Sequence, residues 1–249
     1  MEQTKQQFPT EEVTIPSKGL LYPKDSPLSK GKIEMKYMTA REEDILTNQN
    51  YIENGTVIDK LLQSLIITEF DYNMLLAGDK NAILVAARIL GYGSEYSFEY
   101  NGESQTVDLT EVKDKEIDES LITEGKNEFN FTLPTSKIEI TFKFLTHGDE
   151  QAIDREIKGL KKLNKNSSYD LSTRMKHIIT SINSDYENKT IREFVDTQLL
   201  ARDARALRNY IFDIQPNVDL SFDYEDRRGD IHKVDIPIGL KFFWPDAGV

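Results

Sequence analysis

Apolar and polar positions along this chain follow two rhythms, and the order of those rhythms repeats. Lys32-Ile33-Glu34-Met35-Lys36-Tyr37-Met38 alternates with period two, as a half-buried strand does. Thr39-Ala40-Arg41-Glu42 follows, a hydroxyl N-cap with a carboxylate three residues on, the capping-box pattern for a helix running to about Leu46. From Thr56 onward, Val57, Ile58, Leu61, Leu62, Leu65 and Ile66 fall at helical spacing and predict an amphipathic helix. A third helix is expected within Met74 to Leu90, with Ile83, Ala86, Ala87 and Leu90 inward and Gly91 as its C-cap. Ser94 to Leu109 then reads as a hairpin turning at Asn101-Gly102.

The order returns after residue 126. Lys137-Ile138-Glu139-Ile140 and Lys143-Phe144-Leu145-Thr146 echo the first strand, and a helix is expected through Ile153, Ile157 and Leu160. Lys161 to Ser168 reads as a loop. Ile178 to Ile182 lines up with Leu61 to Leu65, with a strand as the alternative there. A short helix at Thr190 to Val195, a longer one from Ala201 to Phe212 and a hairpin from Leu220 to Ile236 complete the set. The repetition extends to residue identities. Leu76-Ala77-Gly78-Asp79-Lys80-Asn81-Ala82-Ile83 is answered by Leu200-Ala201-Arg202-Asp203-Ala204-Arg205-Ala206-Leu207, at an offset of 124. The same offset sets Ser97-Phe98-Glu99-Tyr100 on Ser221-Phe222-Asp223-Tyr224, and Val107-Asp108-Leu109 has its match in Val234-Asp235-Ile236. The expected fold is α+β, two similar strand–helix–β-hairpin modules from an internal duplication. Its parts are a flexible N-terminus (1–12), a first module (13–110), an acidic, Lys-rich linker or short helix (111–126) and a second module with an aromatic tail (127–249).

Composition narrows the functional classes. With 38 % hydrophobic residues, 12 Phe and 11 Tyr in 249 residues, the chain has the material for a packed core. Its net charge of −12 disfavours nucleic acid and anionic membranes, which would repel it, and is read as a solvated acidic surface, compatible with a basic protein partner. The absence of cysteine excludes disulfides, thiolate catalysis and Cys-ligated zinc, and fits a reducing compartment. No apolar run approaches a membrane span and MEQTKQQFPTEE is no secretory signal, so a cytoplasmic location is expected.

Catalytic, cofactor and metal-binding sets are not found, and a non-enzymatic role is expected. His147, His177 and His232 stand far apart, none at metal-ligand spacing. Glu42-Glu43-Asp44 and Asp223-Tyr224-Glu225-Asp226 are read as capping and solvated carboxylates. Gly91-Tyr92-Gly93 follows a helix, whereas a phosphate cradle follows a strand and opens one. Two segments look like contact surfaces instead. Phe242, Phe243 and Trp244 are adjacent on an extended end and cannot all face one core, because successive side chains alternate. Leu20, Leu21 and Tyr22 lie on a Pro- and Gly-punctuated arm, Ile15 to Pro23, suited to adding as a strand to a partner sheet. The competing readings are a tail that plugs its own domain and an arm that is its own domain's edge strand. Asp203 is placed to complement a helix dipole, and Arg205 and Arg208 share a helix face and are expected to pair with the acidic clusters, a partner being the alternative.

Four motifs in this order carry a resemblance. They are Pro16-Ser17-Lys18-Gly19-Leu20-Leu21-Tyr22-Pro23, Met38-Thr39-Ala40-Arg41-Glu42-Glu43-Asp44-Ile45-Leu46, the run from Gly78 to Gly93, and Pro237-Ile238-Gly239-Leu240-Lys241-Phe242-Phe243-Trp244-Pro245. Over nearly its whole length the chain resembles the baseplate hub assembly proteins of T-even-type contractile-tailed bacteriophages. The resemblance implies a protein that helps build the central hub of the tail baseplate in the host cytoplasm by binding hub or other tail proteins. Length and acidity look closest to assembly factors absent from the finished particle. A structural hub subunit retained in the virion is the alternative, and a cell-wall hydrolase of the tail tip is a third reading without an acid pair or metal site to support it. Related tail proteins carry Cys pairs in the hairpins as zinc knuckles. Tyr100-Asn101-Gly102-Glu103 and Tyr224-Glu225-Asp226-Arg227 stand there instead, so no metal role carries over and each hairpin must be held by its turn and cross-strand pairs.

Overall fold

The computed structural model describes residues 9–163, 169–226 and 228–243, and its fold is α+β. The first module opens on β1 (Thr10–Thr14), antiparallel to β2 (Lys32–Lys36) with Val13 opposite Ile33. The alternation in β2 turns Ile33 and Met35 into the core. Helices α1 (Ala40–Leu46), α2 (Gln49–Glu53), α3 (Val57–Leu65) and α4 (Ala77–Tyr92) follow, then the hairpin of β3 (Glu95–Tyr100) and β4 (Glu103–Asp108). The second module begins with β5 (Phe129–Thr132) and β6 (Glu139–Phe142), continues through α5 (His147–Leu163) and α6 (Asp170–Ile178), and adds β7 (Ile179–Ile182) to β6 as a third antiparallel strand. Helices α7 (Asn188–Thr197) and α8 (Ala201–Ile214) lead to the hairpin of β8 (Ser221–Glu225) and β9 (Ile231–Asp235).

Matching polar locks start the helices of both modules. Glu42 in α1 accepts from Thr39 N (3.0 Å) and Oγ1 (2.6 Å), from Ser64 Oγ (2.7 Å) and from Lys36 Nζ (2.8 Å). Burial works to neutralise it, but the donors from Lys36, Thr39 and Ser64 prevail and hold its carboxyl at about 2. In the second module Asp149 accepts from Thr146 N (3.1 Å), Thr146 Oγ1 (3.1 Å) and Lys143 Nζ (2.7 Å). Each lock thus fastens a strand end to the helix that follows it.

Several element boundaries differ from expectation. Gly91 does not cap α4; the helix runs on to Tyr92 and ends at Gly93, whose φ of 82° a residue with a side chain adopts only rarely. A Cβ on Gly91 would lie 2.8 Å from Met38 Cε, so packing explains that glycine. Ile179 to Ile182 is a strand, the alternative reading. The better match to Leu65-Ile66 is Ile178-Ile179, since Ile66 pairs with Met35 as Ile179 pairs with Phe142 at the end of each module's helix. Helix α5 runs to Leu163, into residues expected to form a loop. Segment 111–126 is not a free tether: Lys115 N donates to Asn217 O (2.7 Å), Asp219 N to Lys113 O (2.8 Å) and Gly125 N to Leu20 O (2.7 Å).

The modules share one continuous core and meet through their hairpins. Asn101 (φ 51°) and Gly102 (φ 78°) supply the two left-handed positions that a tight two-residue hairpin turn requires. Phe98 meets Phe222 at 5.1 Å and Tyr100 meets Tyr224 at 4.9 Å, both edge-to-face. Each ring therefore touches the residue 124 positions away in the sequence. Such pairs contribute about 0.5–1.5 kcal/mol each beyond area burial. A second junction joins Ala77 N to Leu145 O (3.2 Å) and His147 N to Leu75 O (2.7 Å).

At Gly78 the two halves approach tightly: a Cβ there would lie 1.8 Å from the carbonyl oxygen of Pro216. Gly78→Ala is expected to destabilise the protein by more than about 2 kcal/mol in denaturant unfolding. Gly159→Ala, on an exposed face of α5 with nothing near its Cβ, is expected to stabilise it by about 0.5–1 kcal/mol.

Candidate interaction surfaces

The structure corrects the exposed-arm reading. Leu21 and Tyr22 are 2 % and 3 % exposed, and Leu20 is half-buried. Beyond β1 the segment folds into consecutive turns, with Lys18 N donating to Ile15 O (2.9 Å), Leu20 N to Ser17 O (3.0 Å) and Tyr22 N to Gly19 O (3.2 Å). These turns wrap the carboxylate of Asp79 in the first turn of α4. It accepts from Ser17 N (2.9 Å), Ser17 Oγ (2.7 Å) and Tyr22 Oη (2.6 Å), and Tyr22 Oη accepts in turn from Leu76 N (3.0 Å). Burial pushes the Asp79 carboxyl up against these donors, and burial beside Asp79 pushes the Tyr22 phenol up as well. The arm is spent on its own module.

Phe242 and Phe243 are likewise fully buried, in a 3-10 turn, Leu240–Phe243, packed on α4. The expectation that adjacent aromatics could not share a core assumed extended backbone. A 3-10 turn instead sets successive side chains about 120° apart. Phe242 thereby meets Tyr96 at 4.8 Å while Phe243 packs perpendicular to Phe242 at 5.3 Å. Trp244, the third candidate of the tail, lies outside the described residues.

Asp203 repeats the role of Asp79 in the second module. It is buried in the first turn of α8 and accepts from Thr135 N (2.7 Å) and Ser136 N (3.0 Å) in the β5–β6 turn. Burial opposes its charge, but the donors of Thr135 and Ser136 win and hold the carboxyl below the usual range. Sequence reasoning tied Asp203 to the helix dipole and missed its turn partners. The recurrence of Asp at the same place in two helices was the available signal.

The histidines are placed separately. His147 is buried where α3, α4 and α5 meet, edge-on to Tyr72 at 4.7 Å, with Nδ1 3.5 Å from Lys80 Nζ and Nε2 2.9 Å from Gln151 Nε2. Lys80 is bonded to Asp59, which also accepts from Tyr72 Oη (3.2 Å). Desolvation, aided by Lys80 and opposed by Asp59 and Glu150, lowers the His147 pKa. His177 bonds Glu156 (3.0 Å), whose carboxyl is held at about 2 chiefly by two N–H bonds from Arg192 (2.7 and 2.8 Å). His232, half-exposed, meets Asp226 at 3.0 Å. Among the described residues no three His, Asp or Glu side chains are grouped to hold a metal ion.

The apolar surface left open lies elsewhere. Between α6 and α8 runs a groove of about 200 Å³ walled by Leu171, Met175 and Ile178 on one side and Ile211 and Phe212 on the other. Leu171 and Phe212 are 53 % and 68 % exposed. Arg174 and Arg208 flank it; Arg174 bonds Glu150 at 2.8 Å, whereas Nη1 of Arg208 is shielded from water with no hydrogen-bond partner among the described residues. The expected pairing of Arg208 with an acidic cluster is not formed there.

Over residues 15–244 the chain matches the family described as T4 bacteriophage base plate protein, and it belongs to that family. No curated protein and no solved structure matches it. Among the described residues no helix is long and apolar enough to cross a membrane.

His147, Glu42 and Glu156 set an acid limit on stability, against which the raised Asp79 carboxyl acts. His147 is kept neutral in the folded state, so its contribution is complete above the ordinary histidine value of 6.5 and falls as pH drops below it. Glu42 and Glu156 add a second loss from 4.5 downward toward 2, where their folded forms take up protons. Urea midpoints measured from pH 8 to pH 3 are expected to fall in these two stages, and His147→Gln is expected to flatten the first.

Proposed function

We propose that this base plate family protein is a non-enzymatic, chaperone-like assembly factor that promotes formation of the central hub of the phage tail baseplate. The observation that carries the reading is the family match spanning residues 15–244, which places its work in the baseplate. Support for the narrower role comes from the hub-assembly motifs, above all the Pro16–Pro23 segment, the Gly78–Gly93 run and the Pro237–Pro245 segment, and from the net charge of −12. The chain works in the host cytoplasm by binding hub or other tail proteins, and leaves before the particle is complete.

Acidity suits this mode of action. A negatively charged chain stays soluble and is steered toward basic patches on hub subunits, while contacts of modest area allow release. The rival reading, a structural subunit retained in the virion, shares the family membership and differs in outcome. Deletion of the gene is expected to stop hub incorporation, and mass spectrometry of purified wild-type virions is expected to find the chain absent. Its presence there in a fixed ratio to baseplate subunits would assign it to the structure instead.

A further inference from the structure

The two modules differ most where their helices should close on each other. Aligning the helix ends sets Leu61 against Arg174 and Leu65 against Ile178, an offset of 113, while α4 and α8 keep the offset of 124, which sets Leu84 against Arg208 and Arg88 against Phe212. In the first module Leu61 and Leu84 are buried and α3 packs on α4. Arg88 bonds the carbonyls of Gly93 (2.8 Å) and Glu95 (3.0 Å) through both terminal nitrogens, only its Nε lacking a partner among the described residues. At the corresponding places of the second module two arginines flank an open groove and a phenylalanine faces solvent. Apolar and cationic positions have been exchanged.

The covering segment differs in the same sense. After the second hairpin, Phe242 and Phe243 plug the first module against α4. The matching positions after the first hairpin, 127 residues earlier, are Lys115 and Glu116. Lys115 reaches α8, bonds the carbonyl of Phe212 and holds its ammonium 4.8 Å from the centre of that ring. A polar segment therefore stands where the first module has its aromatic plug, and the groove stays open.

We propose that this groove docks an acidic amphipathic segment of another baseplate protein, with a Leu or Phe side chain entering between Leu171 and Phe212 and a carboxylate taking the Arg208 guanidinium. The inference rests on the baseplate role for its choice of partner, not for its choice of site. Charge complementarity at Arg208 selects the occupant, since Arg174 is already met by Glu150 with Asp154 and Asp170 nearby. A guanidinium with an unpaired N–H group beside apolar walls is completed by a carboxylate. The volume matches one large side chain and falls below the roughly 300–1,000 Å³ of small-molecule sites. Apolar anchors flanked by charge are how an amphipathic helix is read by a groove.

The test places a benzophenone photo-crosslinking residue at Leu171 of the tagged full-length chain in infected cells and identifies the adducts by peptide mass spectrometry. The expected adduct joins position 171 to an acidic segment bearing Leu or Phe in another baseplate protein. Its yield falls at least about tenfold in Arg208→Met, which keeps side-chain length without the charge, the lower end of what losing one close charge pair produces. Phe212→Ser, a change at an exposed position, is expected to abolish it with the melting temperature unchanged. No adduct, an adduct to a second copy of this chain, one to a basic segment, or a yield indifferent to both substitutions would overturn the proposal. Co-purification of baseplate proteins with the tagged chain, scored in the same samples, separates failure of the groove from failure of the baseplate role.

Discussion

A buried carboxylate must be met by donors, and that demand at Asp79 organises the first module. Without Ser17 and Tyr22 around it the buried carboxyl would be left unsatisfied, a defect costing about 1–3 kcal/mol. Supplying those donors forces the chain after β1 into tight turns rather than an extended arm. It also draws Tyr22 against Leu76 and fixes where α4 begins. The hairpin and the C-terminal aromatic turn are positioned on that helix. Asp203 imposes the same demand on the β5–β6 turn with two backbone amides, and α8 follows from it.

Much of this was legible from the chain. Periodicity located β2, α3, α4, α8 and both hairpins because each is long enough for its rhythm to show. The Thr39–Glu42 box was readable because capping is local and three residues long. What escaped was long-range. Asp79 finds Ser17 62 residues away, and nothing local distinguishes it from an ordinary carboxylate at a helix start. The tail misled for a related reason. Three adjacent aromatics conflict with one core only if the backbone is extended, and the turn at Leu240–Phe243 removes the conflict for Phe242 and Phe243. The open groove was hidden too, since Leu171 and Arg174 carry no signal until they face α8.

The likeness between the modules gives the departures from it their meaning. Edge-to-face packing of Phe98 on Phe222 and Tyr100 on Tyr224 requires the two hairpins to present matching faces. The helices behind them carry no such restriction. There the first module closes on leucines and an aromatic plug, and the second keeps arginines, an exposed ring and a polar segment. One closed half and one open half is the asymmetry on which the proposed docking rests.

Native-state hydrogen exchange of single amides tests the central constraint most directly. The amides of Ser17, Thr135 and Ser136 lie in turns, where exchange is ordinarily fast, yet each donates to a buried aspartate. They are predicted to exchange only through global unfolding, with Asp79→Ala releasing Ser17 alone and Asp203→Ala releasing Thr135 and Ser136. Rapid exchange of all three in the wild-type protein, at the rate of exposed turn amides, would contradict the account.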